Sequence, residues 1–255
     1  MNQVAKKQET ALAVVNDMFE SDAANGMENM SQDDLALPFL KLLSQLSPEL
    51  DSIEGAKAGM IYNSVSGRVY DGKEGLLVIP CYYERKYIEW APRGQGSGAP
   101  VNIYPATSDV MTRTFRKPGD SRDYLESGNY IESTAQHYVI VCDDKDGDHP
   151  ALIVMKSTQL KKSRKWNSMM MTLRMNGKNG PFVPPSFSHV YRLTTVKEAN
   201  DKGQWYGWEV ERVGPVEDSG RYMLAKNFAE SVKAGQVEVK HGEDSPVDKS
   251  RADVF

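Results

Sequence analysis

Residues 59–90 read GMIYNSVSGRVYDGKEGLLVIPCYYERKYIEW, and this stretch decides the fold class. Gly, Asn and Ser interrupt it at short intervals. Between the interruptions β-branched and aromatic residues dominate, which is the composition of short strands joined by turns. Its last part, from Leu76 to Trp90, is long enough for one bent strand. Pro80 marks an edge or a bulge in that strand, because proline cannot donate to a ladder.

Downstream, HYVIVCDD and PALIVMK are apolar runs joined by the turn DKDGDH, a hairpin pattern. The second run leads into STQLKKSRKWNSMMMTLRMNGKNG, which predicts a helix over 158–174. Ser157 or Thr158 can cap its start and Gly177 can end it. VYRLTTVKEA and WYGWEVERV, joined through Asn-Asp-Lys-Gly, predict another hairpin. A closing helix is predicted over 217–234, with Tyr222, Ala225, Phe228, Ala229 and Val232 on its apolar face and Gly235 as its stop. Upstream, Ala11, Val14, Val15, Met18 and Phe19 fall at helical spacing before Asn25-Gly26. Residues 35–60 fit both periodicities, and residues 91–120, opening APRGQGSGAP, read as an irregular, mobile loop.

Strands with one basic helix between two hairpins predict a mostly β, α+β chain: an OB-like small β-barrel with an inserted basic helix and terminal helices. A plain α+β sandwich satisfies the same strings. Three segments follow: an N-terminal helix and linker over 1–34, an OB-like nucleic-acid-binding domain over 35–235, and a disordered acidic tail over 236–255.

Composition sets the outer limits. The chain has 255 residues, 40% apolar and 26% charged, which excludes a collagen-like chain, a coiled-coil rod and a wholly disordered chain. No apolar run approaches membrane-spanning length, so no membrane partner is expected. The start, MNQVAKKQETALAVV, lacks a signal-peptide pattern, and Cys81 and Cys142 are no secreted disulfide framework. A cytoplasmic protein is expected.

The charge is unevenly spread. Net charge is −4. Yet no Asp or Glu occurs between His149 and Lys197, while Lys156, Lys161, Lys162, Arg164, Lys165, Arg174, Lys178, Arg192 and Lys197 do. Both ends are acidic. A basic middle in an acidic chain fits a groove for a polyanion. A solvated helix face gives the same count.

Single-stranded nucleic acid is held by cations together with rings on which bases stack. Tyr83, Arg85 and Tyr87 alternate onto one face of a regular strand, and Tyr82, Glu84, Lys86, Ile88 and Trp90 onto the other. Lys161, Lys162, Arg164 and Lys165 crowd the start of the basic helix, where the macrodipole disfavours cations. An external polyanion would account for them, with Arg174 further along. Trp166, among these cations, is read equally as a core anchor and as a stacking ring.

Catalytic and metal patterns are lacking. There is no P-loop, and DDKDGD fails as a calcium loop, because its register puts Ile153 at the twelfth position, where a carboxylate is needed. His137, Cys142 and His149 match no zinc spacing. No catalytic residue, cofactor or metal is assigned, and no enzyme is expected.

The tail ends ADVF, a hydrophobe carrying the terminal carboxylate after Glu243, Asp244, Asp248 and Asp253. Here the chain resembles the single-stranded DNA-binding proteins of bacteriophages and bacteria, which join an OB barrel to an acidic tail ending in Phe. That resemblance implies single-stranded DNA as ligand. It also implies that Asp248, Asp253 and Phe255 recruit a replication partner such as a polymerase, helicase or nuclease. Lys249 and Arg251 interrupt the acids and depart from the family pattern. The expected function is sequence-tolerant single-stranded DNA binding in phage replication, recombination or repair, with self-association left open. The alternative is a phage interaction module that inhibits or redirects a host enzyme. A nuclease comes last, for want of a carboxylate cluster.

Overall fold

The structure is a computed structural model, and it describes residues 15, 17–30, 34–92, 94–143, 147–201, 203–237 and 239. The chain divides into two compact units, Met1–Leu35 and Ala36–Phe255. In the first, residues 17–21 are helical, and Val15, Met18 and Phe19 of the expected apolar stripe are exposed. Ala11 and Val14 lie outside the described residues.

The second unit holds β1 (Leu40–Leu42), α1 (Glu49–Ser52), β2 (Ile61–Asn63), β3 (Val69–Tyr70), β4 (Leu76–Trp90), β5 (Asn102–Pro105), β6 (Asp123–Tyr124), β7 (Tyr130–Cys142) and β8 (His149–Lys156). They are followed by α2 (Leu160–Met171), β9 (Met175–Gly177), β10 (Gly180–Phe182), β11 (His189–Asn200), β12 (Gly203–Pro215) and α3 (Ser219–Lys233). The mostly β, α+β class expected from the strand pattern is the one observed, with antiparallel pairing throughout its three sheets.

The largest sheet runs β12-β11-β4-β7-β6, with β5 also on β4 and β8 also on β7. A parallel bridge, Phe39 to Leu152, links β8 to the β1-β2-β3 sheet. At the far side of that sheet Thr195 N–H donates to Gly72 O at 2.7 Å, so hydrogen bonds return to β11. The result is a barrel-like ring of strands. Gly72 is required there, since a Cβ would collide with Gly59 O and Thr195 Oγ1.

Two cores lie on the two faces of the sheet. Inside the ring Leu40, Ile61, Val78, Val139, Ile153, Tyr191, Leu193 and Trp208 pack together with Trp166 of α2. On the outer face Ile79, Tyr138, Ile140 and Leu152 pack against Ala225, Phe228, Ala229 and Val232 of α3. Coverage on both faces explains why VIVC and ALIV are unbroken apolar runs instead of alternating ones. Asp218 caps α3 by accepting from Arg221 N–H at 2.7 Å.

Two expectations need correction. The basic helix stops at Met171, and Gly177 lies in β9, because residues 175–182 turn back on themselves as the β9–β10 hairpin. The segment 91–120 is not irregular throughout. Ile103 and Tyr104 pair with Ile88 and Tyr87, so 102–105 joins the sheet as β5, a strand too short and too close to proline to read as one.

Candidate nucleic-acid interface

β4 and β7 run on past the ring as a long antiparallel ribbon. The register shifts between Pro80 and Tyr82, at the position where proline suggested a bulge. The shift has a consequence for facing. Ile79, Cys81 and Tyr82 all join the outer core, while Leu76, Val78 and then Tyr83 face the inner one. Tyr83, Arg85 and Tyr87 therefore continue the inner face along the ribbon, opposite His137, Ala135 and Ser133.

Tyr83 is anchored at the ring end of this row, its ring 5.0 Å from that of His137. Arg85 is half-buried, and its guanidinium has no hydrogen-bond or ion-pair partner among the described residues. Tyr87 lies directly across from Tyr104 of β5. Tyr104 is itself held in place, because its OH donates to Glu89 Oε2 at 2.6 Å, and Asn129 Nδ2 donates to Glu89 Oε1 at 2.6 Å. The hydrogen bond to Glu89 raises the Tyr104 pKa, so the phenol stays a donor. The row thus gains a third ring and a buried carboxylate that braces it. No local signal marked Tyr104, because its partner strand lies fifteen residues and more away in sequence.

Trp166 is a core residue and not a stacking ring for an external base. It is fully buried, stacks on His137 at 4.4 Å between centroids with 16° between planes, and leans on Tyr191. His137 Nε2 shares a 2.8 Å hydrogen bond with Ser163 Oγ, also on α2. Burial pushes the His137 pKa down to about 3, so the ring is neutral at pH 7.

The cations at the start of α2 have internal partners. Lys162 Nζ donates to Glu209 Oε2 and Lys165 Nζ to Glu209 Oε1, both at 2.6 Å. Glu198 Oε1 lies 3.5 Å from Lys162 and 4.0 Å from Lys161. The two lysine hydrogen bonds lower the Glu209 pKa. Gln159 completes the joint, donating to Glu198 and accepting from Trp208 N–H. The unfavourable placement of these cations is answered by carboxylates of the β11–β12 hairpin, which fall just beyond the acid-free segment. Arg164 is exposed and has no carboxylate partner among the described residues. Arg174 Nη1 donates to Met171 O and Leu173 O at 2.9 Å and so caps the C-terminal end of α2. Asp248, Asp253 and Phe255 lie outside the described residues.

The structure therefore brings Tyr83, Arg85, Tyr87 and Tyr104 together. It sets Arg164 on a separate helix with Arg174 just past the end of that helix, and it ties up Lys161, Lys162 and Lys165. Among the described residues no group of three or more His, Cys, Asp or Glu could hold a metal ion. No helix among them is long and apolar enough to cross a membrane.

A family model described as Pam3 phage gp34-like protein matches residues 6–238. The chain belongs to that family. The Pam3 phage gp34-like match covers the ring, the ribbon and both long helices, and it makes this a chain of a phage-derived family. Comparisons with curated proteins and with solved structures give no match.

Proposed function

We propose that this protein binds single-stranded DNA with little sequence preference, in the replication or recombination of a phage genome. It acts as a binding protein and not as an enzyme. The observation that carries the reading is the row Tyr83–Arg85–Tyr87, extended by Tyr104, with a guanidinium that no carboxylate among the described residues neutralises. Rings with a free cation between them offer stacking to any base and charge to the backbone, which is a sequence-tolerant mode. The acidic C-terminal residues ending in Phe255 would recruit a replication partner.

The test is fluorescence anisotropy with a labelled oligo-dT of about 30 nucleotides, long enough to span several single-strand site sizes, and with the matching duplex. Each is titrated at two salt concentrations. Single-strand-preferring binding that weakens steeply with salt is expected. Tyr87→Ala should weaken it by about 1–3 kcal/mol. Absence of binding at low salt would overturn the reading and favour the interaction-module alternative.

A further inference from the structure

We infer that the β9–β10 hairpin is a second contact for single-stranded DNA: a basic wing whose Phe182 ring stacks a base while Lys178 meets the backbone. The inference rests on the reading above and adds a site to it. Every residue of β9 and β10 is exposed, and among the described residues the two strands pair only with each other. Phe182 lies across from Met175 and is 44% exposed. Its ring packs over Gly177, where an added Cβ would come within 3.1 Å of Phe182 Cδ1. One side of the ring is thus backed by the hairpin while the rest faces solvent, which is the posture of a stacking platform.

Charge selects the occupant. The wing lies inside the acid-free run from His149 to Lys197. Among the described residues neither Lys178 nor Arg174 has a carboxylate partner. This contrasts with the start of α2, whose lysines are matched by Glu198 and Glu209. Apolar side chains exposed beside uncompensated cations suit a polyanion with aromatic faces.

The root of the wing points the same way. β11 pairs with β4 only at Leu76–Val78, and β5 only at Lys86–Glu89. The edge of β4 between them carries no strand among the described residues. The chain leaving the wing enters that gap, where Ser186 Oγ donates to Cys81 O at 2.8 Å. The chain entering the wing comes from α2, whose Met169 and Met170 pack with Tyr83 against the inner core. The exit of the wing is therefore held at Cys81, two residues before Tyr83, and its entry is held at the inner core that Tyr83 also borders.

The test compares Phe182→Ala, Lys178→Glu and Arg85→Glu with the parent protein in oligo-dT anisotropy, with circular dichroism melts as fold controls. Phe182→Ala should weaken binding about tenfold without lowering the melting temperature. Lys178→Glu should reduce the slope of log affinity against log salt by about 1. Oligo-dT carrying 5-iodouracil should crosslink to Phe182. If both wing variants bind like the parent while Arg85→Glu is weakened, the wing is overturned and the row stands. If the parent fails to bind at low salt, the underlying reading itself fails. If Phe182→Ala instead abolishes a sedimentation-detected dimer and leaves affinity per chain unchanged, the hairpin is a self-association surface and the inference is overturned.

Discussion

The imidazole of His137 stacks on the indole of Trp166 at 4.4 Å with 16° between the planes, deep inside the barrel-like ring. This contact joins the long ribbon to α2, and its neighbour Tyr83 carries the joint out to the half-buried row. It also makes a titratable group part of the core.

Stability should therefore depend on pH in a defined direction. The His137 pKa is depressed to about 3 in the folded chain, while the unfolded chain takes up its proton near 6.5. The unfolded state binds the extra proton between these values. This contribution is complete above about pH 6.5 and is lost as pH falls toward 3. Urea unfolding at pH 7 and pH 5 should differ by about 2 kcal/mol from this group. His137→Gln should flatten that difference; an unchanged pH dependence in the variant would remove His137 from the account.

Glu209 holds Lys162 and Lys165, and of the two only Lys162 has a second carboxylate, Glu198, within reach among the described residues. Glu209→Gln should lower stability by only about 0.5–1 kcal/mol, as for other partly exposed ion pairs. At low salt it should tighten oligo-dT binding, because it releases Lys165 and leaves Lys162 with Glu198 alone. Weaker binding in this variant would mean that the lysines act only as struts.

The brace under Tyr104 can be separated from its ring. Tyr104→Phe keeps the ring and removes the 2.6 Å hydrogen bond to the buried Glu89 carboxylate. It should cost about 1–3 kcal/mol in thermal unfolding, the penalty of an under-satisfied buried acceptor. Oligo-dT affinity should change little in Tyr104→Phe and fall clearly in Tyr104→Ala. Equal loss in both would make the hydrogen bond, and not the ring, the feature that matters.

The C-terminal acids and Phe255 make a separable prediction. Removing residues 243–255 should leave oligo-dT affinity unchanged or higher, because negative charge is withdrawn. Pull-down of the purified polymerase, helicase and nuclease of the same phage should succeed with the full chain and fail with the truncated one. Undiminished capture would reassign partner recruitment to another surface.

Much of the architecture could be read locally. The β4 strand, the VIVC and ALIV hairpin, the β11–β12 hairpin and the face of α3 rest on periodicity and turn residues, which act over a few positions. The alternation of Tyr83, Arg85 and Tyr87 is equally local, and Pro80 announced the bulge. β5 and the β9–β10 hairpin escaped because they are strands of three or four residues, shorter than a periodic signal.

By itself the sequence determined the class of fold, the order of its main elements and which residues share a strand face, since these follow from side-chain spacing along the chain. Only the tertiary structure decided which charges are spent and which rings are buried. Lys162 finds Glu209 47 residues away, and Tyr87 meets Tyr104 across two strands. Trp166 vanishes beneath α2 onto His137. Burial and charge pairing depend on which distant segments fold against each other, and no local pattern carries that information.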